Sequence, residues 1–144
     1  MILVMCIGNE MGGDDGIGPY IAKNFPDIKG FRVVNCETVP ENFVYLAEGA
    51  DKVIIVDAVD MGLKAGEVRI IPSDRIKGYH FSTHSLPLSM VIEYIRNRYA
   101  KDVVLIGIQP KKLFGKLSKE VKEAGERVID AIANNEIDKI EVLE

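Results

Sequence analysis

The groups able to do chemistry sit in short polar segments at the edges of apolar runs. These are Gly8-Asn9-Glu10-Met11-Gly12-Gly13-Asp14-Asp15-Gly16, Asp57-Ala58-Val59-Asp60, Ser82-Thr83-His84-Ser85 and Gln109-Pro110-Lys111. Brought together, Asp15, Asp57 and His84 would offer two carboxylates and one imidazole. Such a ligand set suits nickel, zinc, iron or manganese rather than calcium. Three protein ligands leave coordination positions open, as a metal requires if it is to touch a substrate or a water. His80 is the other source of imidazole, and it stands between Tyr79 and Phe81 in a loop expected to be exposed. Each residue also has a plainer role: Asp14 or Asp15 capping a helix, Asp57 and Asp60 serving turns, His84 hydrogen-bonded at a helix start.

The glycines of the first segment invite a second chemistry, since glycine lets backbone amides approach an anion at a helix start. The charges oppose it. Glu10, Asp14 and Asp15 would repel a phosphate, and neither GxGxxG nor GK[ST] is present. A loop of carboxylates and small residues is better suited to a cation.

Positioning these segments requires strands that end where they begin. Ile2 to Ile7 is a short continuous apolar run that stops at Gly8-Asn9, and Ile17, Tyr20, Ile21 and Phe25 then recur at helical spacing. Phe31 to Cys36 reads as a second strand, and Pro40 to Glu48 as a helix with Phe43, Val44 and Ala47 on one face. Val53 to Val56 is apolar throughout, as a strand covered on both faces should be, and runs into Asp57. Glu67 to Ile71 follows a Gly62 to Gly66 turn too short for a crossover helix, which predicts an antiparallel strand at or near the sheet edge. Pro72 to Ser82 reads as a polar loop. Leu88, Val91, Ile92, Ile95 and Tyr99 mark a long amphipathic helix, and Val103 to Ile108 a fifth strand. A last helix carries Val121, Ala124, Val128, Ile129 and Ile132, with Ser118 placed to cap it.

Strands alternating with helices predict an α/β fold: a three-layer α/β/α sandwich around a twisted, mostly parallel five-stranded sheet with one antiparallel edge strand. In such sheets ligands bind beyond the carboxyl ends of the strands, where the polar segments lie.

The 144 residues, 47% hydrophobic and 28% charged, suit one domain spanning 1–144 that needs no disulfide or structural metal. Cys6 and Cys36 lie in apolar runs without CxxC spacing and read as buried reduced thiols. A net charge of -4 provides no field for a phosphate backbone, so no nucleic-acid partner is expected. Apolar runs fall far short of the roughly 18 residues of a membrane span, and the first lacks a basic leader or cleavage site. The reading is an intact cytoplasmic chain without membrane insertion.

The order of motifs is itself distinctive. Ile7-Gly8-Asn9, Gly13-Asp14-Asp15-Gly16-Ile17-Gly18-Pro19, Pro40-Glu41-Asn42, Ile55-Val56-Asp57-Ala58-Val59-Asp60-Met61-Gly62, Thr83-His84-Ser85-Leu86-Pro87-Leu88 and Gly107-Ile108-Gln109-Pro110 together resemble the hydrogenase maturation endopeptidases. The likeness covers residues 1 to about 112, and is strongest to the hydrogenase 3, formate-hydrogenlyase type. It implies an endopeptidase that removes a C-terminal extension from the large-subunit precursor of a nickel-iron hydrogenase once nickel has been inserted. It also implies that Asp15, Asp57 and His84 contact the metal and are the catalytic residues. The nickel would be supplied by the substrate precursor rather than held by the enzyme, the enzyme would act as a monomer, and cleavage would follow a His or Arg just past the last nickel-ligating cysteine motif. With no GxSxG, no HExxH and no poised cysteine, the implied hydrolysis is attack by water activated by metal or a carboxylate, with Asp14 or Asp60 able to assist.

The chain departs from the family pattern at Asn35-Cys36-Glu37, where relatives tend to carry Asp-Gly-Gly, and Lys111 to Lys116 is basic and shorter than the corresponding region. Two other readings compete. A phosphoacceptor receiver domain shares an acidic pair and an Asp after the third strand, but has Lys where Gln109 stands and no role for His84. A non-enzymatic nickel-binding or hydrogenase-docking chaperone would keep the recognition loop without cleaving; the aromatics Tyr79 and Phe81 and the Lys111-Lys112 segment could serve docking in either case.

Overall fold

A computed structural model describes residues 1–78 and 87–144. The strands are β1 (Ile2–Ile7), β2 (Phe31–Glu37), β3 (Lys52–Ala58), β4 (Val68–Ile70) and β5 (Asp102–Ile108). They form one sheet in the order β2-β1-β3-β5-β4. β1, β2, β3 and β5 run parallel, and β4 lies antiparallel to β5 at the edge, pairing Val68 with Ile108 and Ile70 with Ile106. This is the predicted sheet, including its one reversed edge.

Alternation along the strands builds two separate cores. Leu3, Met5, Ile7, Val53, Ile55, Val103 and Leu105 face one side, where Leu88, Val91, Ile92 and Ile95 of α2 (Leu88–Tyr99) pack on them. Val4, Cys6, Ile54, Val56, Ile106 and Ile108 face the other, against Ile17 and Ile21 of α1 (Ile17–Asn24) and Val121, Val128 and Ile132 of α3 (Lys119–Ala133). The central strands are buried on both faces, which is why they read as continuous apolar runs rather than alternating ones. Cys6 and Cys36 are buried free thiols, and burial is the main cause that pushes Cys36 up to about 12.

Three segments differ from expectation. Residues Pro40–Gly49 form a 3-10 helix instead of an α-helix. The apolar pairs Phe43/Leu46 and Val44/Ala47 are spaced by three, so a helix of three residues per turn stacks them against the same core as well as an α-helix would. The loop after β4 contains a 3-10 turn, Ser73–Gly78, that places Ile76 in the α2-side core. Helix α1 is preceded by a further 3-10 turn, Gly13–Gly16, so Asp14 and Asp15 lie within helical structure rather than upstream of it.

The carboxyl-terminal residues cover the sheet edge. Ile70 N–H donates to the Glu141 carbonyl at 2.9 Å, Leu143 N–H donates to the Ile70 carbonyl at 2.9 Å, and Arg69 Nε meets Glu141 Oε2 at 2.9 Å. An uncovered edge strand is a template for aggregation, and this cover removes part of that template.

Helix α1 crosses β1 at a distance only glycine permits. A Cβ added at Gly18 would lie 2.1 Å from the Ile7 carbonyl oxygen, which is backbone and has no room to yield. At an exposed helical site, replacing Gly by Ala gains up to about 1 kcal/mol. Here overpacking, worth about 1–3 kcal/mol or more, opposes that gain. Chemical denaturation should show Gly18→Ala destabilised by ~2 kcal/mol or more, while Gly49→Ala, whose Cβ would meet nothing within 4 Å, should be neutral or stabilising.

Candidate functional site at the strand ends

The loop after β1 turns back on itself through short-range bonds. Gly12 N–H donates to the Asn9 carbonyl at 2.9 Å, and Met11 N–H donates to Asn9 Oδ1 at 2.9 Å. Asp15 follows this turn, and its Oδ2 accepts from Asn9 N–H at 2.9 Å. Neither Asp14 nor Asp15 caps a helix through its side chain. The Asp15 carboxylate instead closes the loop onto the end of β1, with only 9% of the residue exposed. Gly8 makes this possible: a Cβ there would fall 1.9 Å from the Asp15 carbonyl oxygen.

Asp57 is fully buried near the carboxyl end of β3, opposite Gly107 of β5. Continuing the alternation from Val53 and Ile55 places it on the face covered by α2. Since β1 pairs with β3 up to Cys6 and Val56, Asp57 lies one residue beyond the last pair, level with the strand end from which the Asp15 loop departs. A buried carboxylate is expensive to maintain ionised, and its occurrence at a parallel strand end is the ordinary mark of a site.

His84 and His80 fall within residues 79–86 and lie outside the described residues, as do Tyr79 and Phe81. The third of the expected ligands is therefore carried by the segment immediately before α2 in the chain, and α2 covers the face on which Asp57 sits. Among the described residues no three His, Cys, Asp or Glu side chains group as a metal site.

Asp14 does structural work. It has no exposed surface; its Oδ2 accepts from Lys111 N–H at 2.8 Å, Lys112 N–H at 3.0 Å and the Ser118 hydroxyl at 2.7 Å, and its Oδ1 from Ser118 N–H at 2.6 Å. Ser118 does precede α3 as predicted, but its hydroxyl goes to Asp14 rather than to the helix amides. With both oxygens committed to donors, Asp14 is not the assisting acid that the sequence allowed it to be. Asp60 is likewise used in the architecture: its Oδ1 accepts from Gly62 N–H at 3.1 Å and from Gln109 Nε2 at 3.2 Å.

Gln109 is the residue whose role sequence reading missed. Its side chain is a clamp between β5 and the loop after β3: Oε1 accepts from Met61 N–H at 2.6 Å and Leu63 N–H at 3.2 Å while Nε2 donates to Asp60. It is the chain's single glutamine and stands at a strand end, a signal that was available. Glu37, the residue at the departure from the family pattern, adopts φ +51°, and its carbonyl accepts from Gly8 N–H at 2.8 Å. A glycine would take that left-handed conformation without strain, and here a glutamate is held in it. The three strand-end loops thus converge as expected, by backbone bonds that the side chains of Asp14, Asp15 and Gln109 organise.

Burial acts to raise the Asp14 carboxyl, but its bonds from Ser118, Lys112 and Lys111 outweigh it and hold the group below the usual carboxylate range. An unfolded Asp titrates near about 3.9. The folded group binds its proton only at lower pH, so this contribution to stability is complete above the unfolded value and is lost as pH falls through the folded one. Asp14→Asn would turn an amide donor toward a cluster of donors, and should cost ~2–4 kcal/mol at neutral pH. Acid titration of unfolding should also show the parent losing more stability than the variant as pH falls below about 5.

Comparison with known proteins places the chain in a family. A sequence model of the HycI hydrogenase maturation protease family matches residues 18–135. The hydrogenase 3 maturation protease of Escherichia coli is 35% identical over 133 residues, covering 88% of this chain and 85% of its own. Among solved structures, a crystal structure of a hydrogenase 3 maturation protease superposes with TM-score 0.89 at 31% identity, over 100% of this chain and 97% of that one. The NiFe hydrogenase maturation protease HycI of Thermococcus kodakarensis does so with TM-score 0.81 at 36% identity, over 94% and 91%. The chain belongs to the hydrogenase maturation protease family, a family of peptidases, as the order of its strand-end motifs led one to expect.

Proposed function

We propose that this chain removes the C-terminal extension of a nickel-iron hydrogenase large-subunit precursor after nickel insertion, and that nickel on the precursor is its recognition signal. The observation that carries this is the fully buried Asp57 level with the Asp15 loop, in a chain of the hydrogenase maturation protease family. Asp15, Asp57 and His84 are the residues assigned to contact the nickel and to the catalytic site. The enzyme works in the cytoplasm as a monomer; among the described residues no helix is long and apolar enough to cross a membrane.

The selectivity follows from coordination. Two carboxylates and an imidazole add little affinity for a neutral peptide, but add coordination bonds to a precursor whose cation has open positions. Metal-free precursor lacks that differential affinity and is left uncut. Hydrolysis then adds water across the scissile amide. The water oxygen bonds to the carbonyl carbon, the C–N bond breaks, and both water protons end on the departing amine, which leaves as an ammonium at neutral pH. The products are a mature C-terminal carboxylate and a free peptide.

Receiver-domain chemistry finds no support in the architecture. The edge strand is antiparallel, and Gln109 is engaged with Met61, Leu63 and Asp60 where a receiver would present lysine.

Intact-mass spectrometry of nickel-loaded and nickel-free large-subunit precursor, each incubated with the parent chain and with His84→Ala, tests the proposal. Loss of a C-terminal peptide is expected only with nickel and only with the parent. Binding without cleavage of any loaded precursor would favour a docking chaperone. In the same assay Asp15→Asn should slow cleavage by at least about a hundredfold, the low end of what a positioned catalytic group supplies; full-rate cleavage would remove Asp15 from the mechanism.

A further inference from the structure

We propose that Met11, Leu113 and Phe114, with the lysines around them, form a docking surface for an acidic, apolar segment of the precursor. The inference rests on the proposed function and adds to it a second contact outside the strand-end site.

Three large apolar side chains are left in water on two neighbouring loops. Met11 is 85% exposed, Leu113 62% and Phe114 73%, although the chain has two well-filled cores able to take such residues. They come from two loops that the fold brings together. A Cβ on Gly13 would lie 2.4 Å from the Phe114 backbone nitrogen, and Asp14 N–H donates to the Lys112 carbonyl at 2.9 Å. The loops are also held by the Asp14 carboxylate through Lys111, Lys112 and Ser118. The patch is thus presented on a pinned backbone, and a partner meeting it forfeits little loop-ordering entropy.

Charge identifies the occupant. Residues 111–119 read Lys-Lys-Leu-Phe-Gly-Lys-Leu-Ser-Lys, with four lysines and no acid, in a chain of net charge -4. Lys111 is ion-paired with Glu120 at 3.0 Å, and the Lys112 ammonium stands 5.9 Å from the centre of the Phe114 ring. Exposed aromatic and aliphatic anchors in a lysine-rich segment, one ammonium of which stands by the Phe114 ring, suit a segment with apolar side chains between carboxylates. A segment seated there also lies against the loop that carries Asp15, so one partner can occupy the patch and the strand ends together.

The test follows binding of nickel-loaded large-subunit precursor by interferometry alongside its cleavage. The variants are Leu113→Ser with Phe114→Ser, Lys112→Glu with Lys116→Glu, and Tyr45→Ser as an exposed apolar residue off the patch. Both double variants should raise Kd and KM about tenfold or more, as expected of interface anchors, with kcat holding. The lysine variant should also flatten the salt dependence of binding, and Tyr45→Ser should match the parent. If both double variants bind and cleave like the parent, the docking surface is overturned while the proposed function stands. Parent dimers lost in the double variants would assign the patch to a second copy and overturn the precursor as occupant. A parent that neither binds nor cleaves loaded precursor would overturn the proposed function, and this occupant with it.

Discussion

A single carboxylate without exposed surface, that of Asp14, holds the carboxyl end of the sheet together. It accepts four hydrogen bonds from residues up to 104 positions away in the chain. Burying an isolated carboxylate costs far more than a domain can tolerate, so such a group persists only where donors replace its water. Three of the four donors are backbone amides, which no side-chain substitution at Lys111, Lys112 or Ser118 removes, short of proline. The interaction therefore ties the loop after β1 to the segment before α3 whatever side chains that segment carries. The sequence of residues 111–117 is thereby free to vary with the partner while its position relative to Asp15 stays fixed.

The second constraint is steric. Gly18 lets α1 lie on the end of β1, and Gly8 lets the chain fold back so that its neighbour's amide reaches Asp15. Gly107 does the equivalent on the α2 face, where a Cβ would approach Ile71 at 2.8 Å and Met61 and Val59 at 3.2 Å. The loop after β3 can therefore close over β5, and Gln109 fastens it there. The strand ends around the buried Asp57 are thus shaped by absent side chains as much as by present ones.

The fold was largely legible because its signals are local and strong. Continuous apolar runs in β1, β3 and β5 announce strands covered on both faces, and the turn at Gly62 to Gly66 is too short for a crossover, which settles the direction of β4. The 3-10 character of Pro40–Gly49 was hidden because residues three apart share a face in either helix type. The candidate site was legible in its residue types and in the convergence of its loops. It was not legible in the division of labour between neighbours. Asp14 and Asp15 are adjacent acids before a helix, yet one faces Ser118 and the other Asn9, a distinction set by contacts 104 and 6 residues away. Cover of the β4 edge by residues 141–143 escaped notice for the same reason, since pairing across about 70 positions leaves no periodic trace.

Under the proposed function, the arrangement separates two tasks that a single contact performs poorly. A surface that binds the precursor whether or not it holds nickel raises affinity for both forms equally, and equal gains produce no discrimination. Discrimination must come from groups that gain energy only when the cation is present, and carboxylates with an imidazole are such groups. If all the affinity came from them, metal-free precursor would seldom be sampled, but free cations would compete for the site. Distributing the affinity lets Leu113 and Phe114 hold the substrate near Asp15 and Asp57 while coordination alone decides whether it is cut. Such a division works only if the two surfaces keep a fixed separation, since a drifting loop would lower the effective concentration of one relative to the other. The buried carboxylate of Asp14 sets that separation, one residue before the acid assigned to the metal.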